Sequence, residues 1–420
     1  MINLARKTPA NLLDDKSDGV VEMLRIPQIT LHAFCDTPEM IDTMARIGSD
    51  RRMSRAHVKV HSGDVAAALN MYRQTASPNL IVLESRAAVA DLRAQLDGLA
   101  DVCVSGTKLI VIGYANDVAL YRELLARGVS EYMVAPIDPV AMISVIAQLY
   151  QEVGASKLGR SFAFIGAKGG AGSSTIAHNV ASTLGRAYGC DVILADLDLA
   201  FGSASLGFNL TPTQGMAQAL QDPSRLDYAL LERLLTKGED HLSVLSAPTT
   251  LEHSYDLGES TFEQLLDIAQ SNVPFVVLDI PHIWTAWAKK TLLAADEVVI
   301  TATPDLVSLR NAKNLVEQLK QARPNDAPPK VVLNQIGMPK RLEIKPDKFS
   351  AALQIEPVAC IPFEPSSFST AANKGRMIAD VSARSAASKS LAKIAQTIAG
   401  RTTARNSRKA KFTFRRLWNS

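Results

Sequence analysis

The chain contains no stretch of about 18 uninterrupted apolar residues, which argues against a transmembrane helix. Its first residues, MINLARKTPANLLDDKSDG, lack the apolar core of a secretory signal. Cysteine is scarce: Cys35, Cys103, Cys190 and Cys360 are scattered, with no C-x-x-C pair and no metal-ligand spacing. They read as buried or incidental thiols of a reducing compartment, neither a disulfide framework nor a zinc site. No internal repeat appears beyond an alternation of strand and helix patterns, so solenoids are excluded. What remains is 420 residues, 47% hydrophobic and 21% charged, the profile of a globular chain with two or three domains. The cytoplasm is the expected location.

The net charge of +3 is unevenly spread. Residues 401–420 hold Arg401, Arg405, Arg408, Lys409, Lys411, Arg415 and Arg416 and no acid; with these seven set aside, acids outnumber bases. Phe412, Phe414, Leu417 and Trp418 are interleaved with the cations. Such a tail suits a solvated extension or contact with an anionic membrane surface, and with less support a nucleic acid. The mildly acidic main body offers no broad face for DNA.

Residues 1–27 are polar, without periodicity, and read as mobile. From 28 to 150, apolar runs at 28–35, 56–61, 79–85, 108–114 and 130–136 alternate with helical patterns. One of these patterns covers 64–74, with Val65, Ala66, Leu69 and Tyr72 on one face. The alternation predicts a five-stranded parallel sheet of flavodoxin-like type. A Gly- and Ser-containing linker at 151–159 precedes a second α/β unit over 160–400. Its strands are expected at 160–165, 191–195, 242–245, 275–280, 297–301, 330–333 and 358–361, and helices at 176–187, 226–236, 260–271, 306–321 and 386–399. The fold class is therefore α/β, with two doubly wound parallel-sheet domains.

Chemistry concentrates in FAFIGAKGGAGSST, residues 162–175. An apolar strand runs into four glycines and then into a helix start. Glycines admit positive φ and let backbone amides approach an anion, and the helix N-terminus adds more unpaired amides. That succession is what a triphosphate cradle needs. Against the general pattern G-x-x-x-x-G-K-[ST], the glycines and Ser174 are present, but Ser173 stands where lysine is usual.

The run Lys168-Gly169-Gly170-Ala171-Gly172-Ser173-Ser174-Thr175 resembles the deviant Walker A motif of the ParA/MinD ATPase family. Other segments follow in the family's order. Asp196-Leu-Asp198 resembles its switch I segment, and Phe275-Val-Val-Leu-Asp279 its Walker B strand. Asn334 stands at its adenine-reading position, and Pro362-Phe363 in the late loop beside the base. The resemblance implies ATP and Mg2+ as cofactors, with residues 168–175, Asn334, Pro362 and Phe363 around the nucleotide. Ser174, Asp196 and Asp279 would serve the metal. Lys168 would reach the phosphates of a second copy, and Asp198 would position the attacking water. Taken singly, each residue also has a plain reading: Lys168 as a surface lysine, Asp196 and Asp198 as a strand-end turn, Asp279 as a cap.

Loss of the usual lysine removes a charge-assisted hydrogen bond of roughly 1.5–3 kcal/mol. ATP binding with slow or negligible hydrolysis is therefore expected, the nucleotide acting mainly to join two copies. A loop reading K-G-G-x-G-S-S-T behind a receiver-like domain is similar to the CpaE/TadZ proteins of Tad (Flp) pilus assembly. That resemblance implies a polar, membrane-peripheral localisation and assembly factor. Its receiver-like domain would bind the pilus secretion machinery or a polar scaffold. A ParA-like DNA-partitioning ATPase and a MinD-like regulator of septum or flagellar placement are the competing classes.

The first unit resembles a response-regulator receiver stripped of its chemistry. Glu84 takes the place of the phosphoacceptor aspartate, Ala135 that of the lysine, and Asp36 alone remains of the acidic cluster. It reads as a docking and dimerisation module.

Overall fold

The computed structural model describes residues 26–27, 29–150, 158–221, 225–252 and 255–400. The expected mobile N-terminus (save 26–27), most of the linker and the basic tail lie outside the described residues. Among those described, no helix is long and apolar enough to cross a membrane.

The first sheet is formed by β1 (Ile29–Cys35), β2 (Ala56–Ser62), β3 (Leu80–Glu84), β4 (Lys108–Gly113) and β5 (Glu131–Val134). Its order is β2-β1-β3-β4-β5, all parallel, the expected flavodoxin-like arrangement. The central strand LIVLE is buried along its whole length, as a strand covered on both faces must be. Helices α1 (Pro38–Gly48) and α5 (Pro139–Leu149) pack on one face through Met44, Ile47, Met142 and Ile146. On the other lie α2 (Val65–Tyr72), α3 (Val89–Ala100) and α4 (Val118–Ala126). Helix α2 buries Val65, Ala68 and Tyr72, whereas Ala66 is exposed. The inward stripe runs i, i+3, i+7, one step away from the expected face.

The second sheet has eight strands: β6 (Arg160–Gly166), β7 (Val192–Asp196), β8 (Thr236–Glu239), β9 (Leu242–Leu245), β10 (Phe275–Ile280), β11 (Glu297–Ala302), β12 (Lys330–Ile336) and β13 (Ala359–Pro362). They are ordered β13-β12-β11-β6-β10-β7-β9-β8. All neighbours are parallel except β8, which pairs antiparallel with β9 at the edge. The helical pattern expected to reach 236 stops at Leu234, and the polar segment Lys237-Gly238-Glu239 turns back through His241, whose φ is +60°.

The helices of this unit are α6 (Ser173–Tyr188), α7 (Ala204–Gly207), α8 (Met216–Gln221), α9 (Tyr228–Leu234), α10 (Glu263–Asn272), α11 (Ala286–Ala294), α12 (Leu306–Ala322), α13 (Pro346–Leu353), α14 (Pro365–Lys374), α15 (Ile378–Ser382) and α16 (Ala386–Ala399). Helices α6 and α16 cover one face, over Phe162 and Phe164. Helices α10, α11 and α12 cover the other, over Ile165, Leu278 and Ile300.

β6 lies between β10 and β11, so the chain departs to opposite sides of it and a crevice opens beyond its carboxyl end. Ligands of open α/β sheets bind at that switch point. The two sheets meet at the opposite, amino end of the strands. There Arg51 Nε donates to Asp326 Oδ2 at 2.6 Å, Arg52 also pairs with Asp326, and Asn325 Nδ2 donates to Asp50 at 3.0 Å.

Candidate phosphate-binding site

The glycine loop occupies the crevice. Gly170 and Gly172 have φ of +75° and +89°, conformations that glycine supplies without strain. Gly172 sits directly before α6, and a Cβ there would lie 2.4 Å from Asn334 Nδ2.

Side chains from neighbouring segments hold the loop's carbonyls. His282, beyond β10, bonds the Gly166 carbonyl at 2.8 Å, and Asn311 of α12 donates to Ala167 O at 2.9 Å. Gln335 of β12 donates to Gly170 O at 3.1 Å, and Asn334 beside it to Ala171 O at 2.8 Å. With these carbonyls engaged on the protein side, the loop is braced from three directions. The amides of Ser173, Ser174 and Thr175, in the first turn of α6, have no partner within their own helix and are available to an anion.

Asn334 is buried against the loop and braces it in this state. Pro362 and Phe363 lie beside it: Ile336 pairs with Pro362, and the Phe363 amide donates to Ile336 O at 2.8 Å. The structure thus gathers residues 168–175, Asn334, Pro362 and Phe363 at one end of the sheet.

Lys168 Nζ donates to Asp305 Oδ2 of its own chain at 2.7 Å. Asp305 also caps α12, accepting from the Ser308 amide, and takes the Thr303 hydroxyl at 2.6 Å. Partial burial works to raise its pKa, but the bonds from Lys168, Ser308 and Thr303 prevail and hold the carboxyl down at about 2. Lys168 is therefore tethered within its own chain.

Behind the loop, Asp196 ends β7 and Asp279 lies in β10, paired across the sheet. Asp196 is fully buried and accepts the amides of Ala204 at 2.9 Å and Asp198 at 3.2 Å. Burial first, and then the neighbouring Asp279 carboxylate, push its pKa up. Asp198 is half-buried and accepts the Phe201 amide at 3.0 Å, fixing the turn that follows. Ser173, at the lysine position, is buried with its hydroxyl unpartnered.

Sequence reasoning missed five residues here: His178, His282, Asp305, Asn311 and Gln335. Only His178 carried a readable signal, standing one helical turn after Ser174 and so on the same face of α6. The others act through long-range contacts that no local pattern reveals.

In the first unit Glu84 is wholly buried and receives four donors: Thr37 Oγ1 at 2.8 Å, Tyr114 Oη at 2.5 Å, and the amides of Asp36 at 2.7 Å and Thr37 at 2.9 Å. The position where a receiver carries its phosphoacceptor is thus filled by a saturated carboxylate.

A family model described as an AAA domain matches residues 159–329. A ParA family ATPase from Chlorobium tepidum superposes with a TM-score of 0.52 at 26% identity, over 56% of this chain and 98% of that one. A pilus assembly protein CpaE from Caulobacter crescentus is 44% identical, over 30% of this chain and 98% of that one, with a TM-score of 0.30. The chloroplastic septum site-determining minD homologue of Arabidopsis thaliana is 26% identical over 159 residues, or 36% of this chain. The chain covers 48% of that curated relative, about half its length. With its glycine loop, Asp196 and Asp279 gathered at one crevice, the chain belongs to the ParA/MinD superfamily of ATPases and is similar in sequence to CpaE pilus assembly proteins.

Proposed function

We propose that this protein binds ATP with Mg2+ in the glycine loop, pairs with a second copy across it, and acts as a localisation and assembly factor for a Tad (Flp) pilus. The observation that carries the reading is the loop itself, with four carbonyls held by side chains and positive φ at Gly170 and Gly172. The residues fit the group: a Cβ at Gly172 would strike the Asn334 amide that braces the loop, and the buried Ser173 hydroxyl and Asp279 Oδ1 lack partners. Residues 168–175 would hold the phosphates, and Ser174, Asp196 and Asp279 the metal, which supplies charge neutralisation there.

Lys168 must leave Asp305 to reach a second copy, so pairing of chains replaces one ion pair with contacts to phosphate. Asp198 stands in the turn over Asp196, where a water could be positioned. Ser173 offers no positive charge, and turnover is correspondingly slow. The receiver-like unit, with Glu84 saturated, serves as the docking surface for the pilus machinery or a polar scaffold.

Titration of a fluorescent ATP analogue with Mg2+, alongside sedimentation to follow the monomer–dimer balance, tests the reading. Lys168→Ala should bind more weakly and remain monomeric. Equal affinity and an unchanged balance in the variant would defeat it.

A further inference from the structure

His178 lies in the crevice and has no part in the nucleotide contacts proposed above. It projects from α6 towards the two acidic strand ends, and it is only 4% exposed. Its Nε2 lies 3.2 Å from Asp279 Oδ2, yet off the hydrogen-bonding direction, so the nitrogen has no hydrogen-bond partner. Asp279, 2% exposed, has its Oδ1 unpartnered as well. A ring nitrogen and a carboxylate oxygen, both buried and both unsatisfied, are costly to leave so and call for a common partner.

The third member is Asp196. One ligand atom each from His178, Asp196 and Asp279 falls within 4.8 Å of the others. A cation with bonds of about 2.0–2.2 Å to imidazole nitrogen and carboxylate oxygen holds its ligand atoms roughly 3–4 Å apart, a spacing these three side chains reach with small rotations. The set is also oriented from behind: the amides of Ala204 and Asp198 hold the Asp196 carboxylate. Such outer partners are usual in built metal sites. Two buried carboxylates face one another here, and Ser173 supplies no charge where a lysine would.

We propose that His178, Asp196 and Asp279 bind a first-row divalent transition cation such as Zn2+ or Co2+ in the absence of nucleotide. Imidazole among the ligands selects this class over Mg2+, which prefers oxygen donors and retains its waters. The site requires neither ATP nor pairing of chains, so it stands whether or not the nucleotide reading holds.

The test uses the full chain, stripped of metal and nucleotide, titrated with Zn2+ by calorimetry and with Co2+ by visible absorption. One saturable equivalent is expected, with a Co2+ spectrum free of thiolate charge transfer. His178→Ala should weaken Zn2+ binding by more than about tenfold. Asp279→Asn, nearly isosteric, should do the same if the histidine variant fails to fold. Absence of a saturable site in the wild type, or undiminished binding in a folded variant of either residue, overturns the proposal. Loss of ATP binding with Zn2+ binding retained would instead fault the nucleotide reading alone.

Discussion

Glu84 shows how one added methylene changes a site's purpose. Its carboxylate reaches Thr37 and Tyr114 at once and leaves no lone pair facing solvent for chemistry. Burial works to raise its pKa, but the bonds from Tyr114, Thr37 and the Asp36 amide prevail and hold it below the ordinary carboxylate value. A depressed folded-state pKa means stability that is present above the unfolded pKa and is lost as pH falls through the folded one. Glu84→Gln should therefore flatten the acid limb of a pH–stability curve measured by urea unfolding. Glu84→Ala should cost about 1.5–3 kcal/mol at neutral pH, because buried donors lose a charged acceptor. Acetyl phosphate should label neither the wild type nor these variants.

At the scale of elements, the glycine loop depends on a narrow geometry. Gly172→Ala places a methyl against the Asn334 amide at a backbone angle that alanine resists. It should lower nucleotide affinity more than tenfold, judged by the same titration, while the far-UV spectrum stays unchanged. Ser173→Lys should act in the opposite sense, tightening binding by about tenfold to a hundredfold if the missing charge-assisted bond of roughly 1.5–3 kcal/mol is restored.

Much of this architecture was readable beforehand. Continuous apolar runs such as LIVLE and FVVLD announced buried parallel strands, and both sheets contain the strands placed from those runs. The antiparallel edge strand β8 was not, because Thr-Lys-Gly-Glu has neither apolar alternation nor β-branched bulk. The short helices α7, α8 and α15 were equally silent, since four to six residues carry too little of a 3.6-residue period. In the site, residues carried by motif were legible. The braces His282, Asn311 and Gln335 were not, because their roles arise from contacts across more than a hundred positions of sequence.

At the scale of the whole molecule, the seam between the two sheets is electrostatic. Asp326 receives Arg51, Arg52 and Arg323, and its side chain is only 7% exposed. Burial works to raise its pKa, and the three arginines prevail and lower it. Removing a buried partner leaves the remaining charges uncompensated, at a cost of about 3–5 kcal/mol. Asp326→Ala should therefore lower the urea midpoint, while a conservative surface change such as Lys313→Gln leaves it unaltered.

The seam closes the amino ends of β6, β11 and β12, whereas the glycine loop opens at their carboxyl ends. A seven-residue strand separates the two by about 23 Å. A partner docked on the far side of the receiver-like unit, as proposed, would thus stand clear of the mouth of the crevice. Two chains paired mouth to mouth, as proposed, would hold their receiver-like units at opposite ends of the pair, so that one pair could span two docking partners.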